Sequence, residues 1–278
     1  MRWPSRSASA RGSRPRASRS GRWHERSAGP PQASSLPLGG TGRRPKRAPV
    51  SAAPSVQRVL LTGFEPFDAA PINPSWEAVR ALDGWVLDTA QGPVQVRARR
   101  MPCAFGAALD ALDEAIDAWR PQCVIAVGQA GGRGAFTPER VAINVDDGRI
   151  CDNAGCQPID QPVVPGAPAA YFSTLPIKAI VQAVRAAGLP AEVSNTAGTF
   201  VCNHLFYGLM HRLAQRGGAD AGVRGGFIHI PYLPEQAAAL PGLPPSMALA
   251  DAVAALRIAV EVSVLRAEDL KLTGGALH

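Results

Sequence analysis

Five cysteines are present in 278 residues, an odd number, and no two are spaced Cys-x-x-Cys. Such a set supplies neither a closed zinc site nor the disulfide framework of a small secreted domain. It fits a reducing compartment with at least one free thiol. No apolar run reaches about 18 residues, the length that a membrane-spanning helix needs. No Gly-rich stretch ends in Gly-Lys-Ser or Gly-Lys-Thr, so a phosphate-cradling loop is not indicated. Acidic residues are scarce in one place. Residues 1–50 hold 12 of the 29 Lys and Arg but one of the 22 Asp and Glu, a net +11. Residues 51–278 carry 17 basic and 21 acidic groups, a net −4. The overall +7 therefore belongs to the first segment and gives no support to a nucleic-acid-binding core.

The same fifty residues hold nine Ser and seven Pro but three branched aliphatics, Leu36, Leu38 and Val50. That apolar surface is too small to offset the entropy of ordering the chain. Residues 1–55 are therefore expected as a disordered extension, and residues 56–278 as a single domain. An Arg-rich, acid-poor start also has the composition of an organelle transit segment, although its Pro and Gly break an amphipathic helix. Arg43-Arg44 is not followed by the apolar stretch of a twin-arginine export signal. The other reading is a start placed too far upstream. No Met lies between Met1 and Met101, so a shorter product would begin at a non-Met codon such as Val50 or Val56.

From Val56 onward strand and helix patterns alternate. Arg58–Thr62 is an apolar run ending at Gly63, a buried strand feeding a loop. Asn73-Pro74 predicts a helix cap followed by proline in the first turn, with Trp76, Val79 and Leu82 on one face. Residues 94–99 alternate as a half-buried strand, and Phe105, Leu109, Leu112 and Ile116 mark a helix ending before Pro121. Strands are further predicted over 123–127, 141–145, 191–195 and 227–230. Helices are predicted over 177–187, 201–216 and 246–265, the last capped by Ser246. The alternation implies an α/β fold, with a mostly parallel or mixed sheet covered on both faces.

Three residues stand out chemically. Cys202 falls where a small-residue loop, Ser194–Phe200, enters a helix, so its thiol lies in a first turn rich in free N–H groups. Those amides favour a thiolate and can also hold an oxyanion. A small buried Cys is the plainer reading. His229 closes a strand just before Pro231, at the strand end where sites form in open α/β sheets. The plainer reading is a hydrogen-bonded core histidine. His204 is a poor partner for Cys202, because i and i+2 side chains on a helix diverge. Glu139 precedes a strand and has the chemistry to orient an imidazole, or simply to pair with Arg140. The glycines of Gly128–Arg133 suit close approach of backbone to a ligand. Phe64 and Phe67 serve either as core or as an aromatic wall over a small apolar ligand.

Taken together, six segments resemble pyroglutamyl-peptidase I. They are residues 60–67 (LLTGFEPF), 73–79 (NPSWEAV), 128–133 (GQAGGR), 138–144 (PERVAIN), 196–204 (TAGTFVCNH) and 225–236 (GGFIHIPYLPEQ). The resemblance runs from about Val56 to the C-terminus. It implies a three-layer α/β/α sandwich with a twisted mixed sheet, and a cysteine peptidase that removes N-terminal 5-oxoproline from peptides without cofactor or metal. It implies a triad of Glu139, Cys202 and His229. The pocket would come from Phe64, Phe67, Gln129, Ile150, Phe200 and Val201, supported by Asn73. Oxyanion contacts would come from the Cys202 backbone and Arg149. Bacterial members imply a soluble, cytoplasmic homotetramer acting on pyroglutamyl peptides. No membrane partner is expected, and no nucleic-acid partner for the core domain; nucleic-acid binding stays open as a third reading of the basic first segment. Two positions depart from the family pattern. Cys151 replaces a frequent Pro, which would bring a second thiol near the site, and Asp68-Ala69 replaces a frequent Gly-Gly.

Overall fold

The computed structural model describes residues 56–215 and 222–275. The expected extension over 1–55, and the end of the predicted helix at Arg216, lie outside the described residues. The elements run β1 Gln57–Phe64, α1 Pro74–Arg80, β2 Val86–Thr89, β3 Gly92–Met101, α2 Ala107–Trp119, β4 Cys123–Gln129, β5 Thr137–Pro138 and β6 Val141–Ile143. They continue with β7 Ala170–Phe172, α3 Ile177–Ala186, α4 Val201–Gln215, β8 Arg224–Ile230, α5 Pro234–Ala238 and α6 Leu249–Leu265.

One sheet of six strands has the order β2-β3-β1-β4-β8-β5. The four inner strands are parallel, and β2 and β5 are antiparallel edges. Because side chains alternate along a strand, the sheet separates two cores. Val59, Leu61, Ile125 and Ile228 face α1, α3 and α6. Leu60, Val124, Ala126 and Phe227 face α2 and α4. This is the expected α/β/α sandwich. β6 and β7 form a separate antiparallel pair, so residues 141–143 do not join the main sheet.

Local chemistry explains the element boundaries. The Asn73 side chain caps α1 by accepting from Ser75 N, and Pro74 opens the helix as predicted. At Gly63 a Cβ would lie 2.6 Å from the Ser75 carbonyl, so only glycine lets α1 begin directly against the end of β1. The α2 helix begins at Ala107 rather than Phe105, because Gly106 takes φ 73°, outside helical space. Residues 191–195 were expected as a strand and are not one. Ser194 N–H donates to Pro138 O and Arg140 N–H to Ser194 O, as in a parallel ladder. Pro138 has no N–H to return, so the ladder breaks into the bridges Phe136–Ala191 and Glu139–Ser194. Ser246 does not cap α6. Its backbone bridges to Tyr232, and the helix starts after Ala248.

Candidate active site

His229 and Glu139 meet because of strand register. β8 alternation puts Phe227 and His229 on the face toward α4. On the neighbouring edge, Thr137 pairs with His229 and the Glu139 N–H donates to Phe227 O. Thr137 and Glu139 therefore point to that same face. His229 Nδ1 lies 2.7 Å from Glu139 Oε1. An ionised carboxylate only accepts, so Nδ1 carries the proton and Nε2 is left as an acceptor. Glu139 is fully buried and His229 is 4% exposed.

Arg133, to which the sequence reading gave no role, completes this cluster. Its Nη1 donates to Glu139 Oε1 at 2.6 Å and to Thr137 Oγ1 at 2.9 Å. The Thr137 hydroxyl in turn donates to the His229 carbonyl. Arg133 Nη2 donates to Thr196 O at 2.9 Å, in the loop that leads to Cys202. The ion pair suggested locally for Glu139 falls to Arg133 and not to Arg140. Arg140 turns away to Asn195 and the Gly274 carbonyl.

Cys202 occupies the second position of α4, whose first intrahelical bond runs from His204 N–H to Phe200 O. The Cys202 amide thus precedes the hydrogen-bonded ladder. Its Sγ lies 2.9 Å from where a Cβ on Gly128 would sit. Gly128 is the register partner of His229 across β4 and β8. Adjacent strands are about 4.8 Å apart, so thiol and imidazole share one spot on the sheet. Burial pushes the Cys202 thiol well above the ordinary range, Cys103 and Glu139 add to the rise, and Arg133 opposes it. The helix start and burial thus pull this thiol in opposite directions. His204 is committed elsewhere. Its Nδ1 is 2.8 Å from Asp146 Oδ2, and its Nε2 accepts from Gly106 N–H at 2.9 Å.

The remaining sequence-selected residues divide. Phe64 is buried and packs on Phe227, ring centres 6.3 Å apart. Phe67 and Phe200 are half-buried with centres 6.2 Å apart, and Phe105 meets Phe200 edge-on at 5.4 Å. Val201 is buried and Ile150 is half-buried. Asn73 supports the wall from behind, donating to Glu65 O. A cavity of about 940 Å³ opens beside this cluster, with Phe67, Gln129, Arg149, Tyr232 and Gln236 among its walls. Gln129 Oε1 accepts from Gln236 Nε2, and Arg149 is exposed. Cys151 is exposed, with its Sγ 3.7 Å from Gln157 Oε1. The thiol that bears on Cys202 is that of Cys103. Asp68 and Ala69 hold φ of 53° and 56°, the left-handed region that Gly-Gly would occupy freely. Among the described residues no group of three His, Cys, Asp or Glu is placed to hold a metal ion.

An α/β sandwich that gathers a thiol, an imidazole and a buried carboxylate at the C-terminal ends of its central strands has the parts of a thiol hydrolase. The chain belongs to the pyroglutamyl peptidase family, whose profile matches residues 57–266. It is similar to pyrrolidone-carboxylate peptidase from Cupriavidus necator, 62% identical over 80% of this chain and 100% of that one. The Yersinia pestis counterpart is 56% identical over the same shares. Among solved structures it resembles pyroglutamyl peptidase I from Bacillus amyloliquefaciens. That match has 46% identity and a TM-score of 0.73, covering 79% of this chain and 100% of the other. A mutant pyrrolidone carboxyl peptidase from Pyrococcus furiosus matches at 40% identity and a TM-score of 0.71, covering 75% and 99%.

Proposed function

We infer that this chain is a cysteine peptidase that hydrolyses the amide bond after an N-terminal 5-oxoproline residue, with Cys202 as nucleophile, His229 as base and Glu139 as orienting acid. The observation that carries the assignment of roles is the 2.7 Å Glu139–His229 contact, on the sheet face where the Cys202 thiol packs over Gly128. His229 Nε2 takes the thiol proton as sulfur attacks the carbonyl carbon, and a tetrahedral oxyanion forms. The Cys202 N–H, together with Arg149 as the family resemblance implies, stabilises that charge at about 3 kcal/mol per donor. The imidazolium protonates the leaving amine as the C–N bond breaks. Water, deprotonated by His229, then cleaves the thioester and releases 5-oxoproline.

Substrate choice follows from desolvation. The 5-oxoproline ring carries no ammonium, and Phe67 and Phe200 strip its water at little cost. A prolyl residue of similar size would bring a charged amine among Phe64, Phe67, Gln129, Ile150, Phe200 and Val201, none of them acidic. It would also lack the ring carbonyl that backbone groups near Gln129 would meet. Sites of this kind reject analogues by roughly 10⁴. Hydrolysis of pyroglutamyl and prolyl fluorogenic amides by the purified full chain tests this. At least about a thousandfold preference in kcat/KM for the pyroglutamyl amide is expected. Comparable rates on both would overturn the dry-pocket account, and no hydrolysis of either would overturn the function.

The same reading makes the protein a cytoplasmic homotetramer. Among the described residues no helix is long and apolar enough to cross a membrane. Exposed Phe172, Leu249 and Leu265 offer apolar surface for self-association. Light scattering at micromolar concentration measures the assembly directly.

A further inference from the structure

We propose that Arg133 is the positioning residue of this site: its guanidinium fixes the Glu139 carboxylate against His229 and ties the loop that delivers Cys202 to the same point. The proposal rests on the catalytic reading above.

A carboxylate with no solvent contact needs a counter-charge. Arg133 supplies it. Both donors to Glu139, His229 Nδ1 and Arg133 Nη1, converge on Oε1, and among the described residues Oε2 meets no donor. The oxygen that sets the imidazole's orientation is thus the one the guanidinium grips. The planar fork then uses its other nitrogen on Thr196 O, just before the turn into α4. A second contact, to the Thr137 hydroxyl, reaches the His229 backbone through one more hydrogen bond. One side chain therefore spans the acid, the backbone of the base and the loop of the nucleophile. Three divergent contacts from one rigid plane match arginine and not lysine, whose ammonium would carry the charge without the geometry. The groups facing the thiol fit this placement: Cys103 and Glu139 raise its pKa, Arg133 lowers it, and His229 lies across the strand pair.

The test compares wild type, Arg133→Lys, Arg133→Met and the double variant Arg133→Met/Glu139→Gln, all as full chains. Arg133→Met should lower kcat by about 10²–10³-fold with KM changed less than about threefold, since the orienting acid of a triad is worth that order. Arg133→Lys should recover part of that loss. The pH at which iodoacetamide reaches half its limiting rate on Cys202 should rise in Arg133→Met and stay near wild type in Arg133→Lys, because only the charge is at issue there. Arg133→Met strands a buried carboxylate and is at risk of misfolding, which the double variant relieves. In the Glu139→Gln background, losing Arg133 should cost clearly less than it does in wild type, the remainder reflecting its hold on the Thr196 carbonyl. A kcat within about threefold of wild type for Arg133→Met, full additivity in the double variant, or an unmoved alkylation profile would each overturn the proposal. Should wild type itself fail to cleave the pyroglutamyl amide, the function is wrong, and the alkylation profile still decides whether Arg133 acts on the thiol.

Discussion

Gly128→Ala adds one methyl group between the sheet and the thiol. The new Cβ would lie 2.9 Å from Cys202 Sγ and 2.8 Å from Phe227 Cζ. Apolar atoms rest about 3.5–4.0 Å apart, so sulfur, ring or both must retreat by about 0.8 Å. Phe227 is fully buried between Phe64 and Phe206, which hold its ring, so much of the movement falls on the thiol. A misplacement near 1 Å in a reacting group costs up to roughly a hundredfold in rate, and overpacking a core costs about 1–3 kcal/mol. The expected result is a kcat lower by about 10–100-fold on the pyroglutamyl amide with KM little changed. The thermal midpoint should fall by about 2–4 °C per kcal/mol. Steady-state kinetics and a thermal melt on the same preparation measure both. An unchanged kcat with an unchanged midpoint would mean that the thiol does not lie over Gly128. A lower midpoint with unchanged kcat per folded molecule would mean that the thiol's position there is immaterial to the chemistry.

Glu139→Gln should fold and lose on the order of 10²–10⁴ in kcat, because an amide no longer enforces the Nδ1–H tautomer of His229; a drop in midpoint alone would leave Glu139 as a structural partner of Arg133. Burial pushes Cys103 and Cys123 from the ordinary 9.0 up to about 12. Unfolded thiols ionise near 9, so the stability these groups give is complete below that pH and is lost between about 9 and 12, at about 1.4 kcal/mol per pH unit and thiol. Urea unfolding followed from pH 8 to 11 should show that decline, and Cys123→Ala should flatten it by one thiol's share. A chain shortened to residues 56–278 should keep kcat and midpoint, since the family profile begins at residue 57 and whole relatives align to 80% of this chain; a large loss of either would show that the preceding segment contributes to the enzyme.

What could be read in advance was whatever depends on near neighbours. The cap of α1 needs only Asn73, Pro74 and Ser75, and it forms as their chemistry dictates. The apolar runs of β1 and β4 sit in the middle of the sheet because nothing but a doubly covered strand tolerates them. Resemblance singled out Glu139, Cys202 and His229, and the fold brings them to one face. Register supplied what neighbours could not. Glu139 beside Arg140 reads as an ion pair on paper, yet adjacent residues of an extended chain point to opposite faces, and Arg140 ends on Asn195. Arg133 closes a glycine-rich segment, and no local pattern reveals that its side chain reaches Glu139 and Thr196. Residues 191–195 carry strand-like composition, but their partner has Pro138 where the ladder needs a donor, and that residue lies far away in sequence.

The state of the resting thiol turns on magnitudes of the same kind. A helix start favours an anion by about 0.3–1 kcal/mol, and at most about 2 in a partly buried site. That is roughly one pKa unit. Burial in apolar surroundings moves a titratable group by up to about 3–5 units the other way. At Cys202 burial is the largest influence, and Arg133 offsets only part of it. The amides at the start of α4 therefore add little to the resting thiol, and the guanidinium offsets part of the effect of burial. They act when charge appears, first on sulfur as the proton passes to His229, then on the carbonyl oxygen. Interactions that strengthen only as the transition state forms raise kcat, whereas a thiolate stabilised in advance would be a weaker nucleophile with less to gain. A thiol beside an imidazole held by Glu139, with the guanidinium and the N–H dipoles already in place, is the arrangement that puts this electrostatic work into the bond-making step.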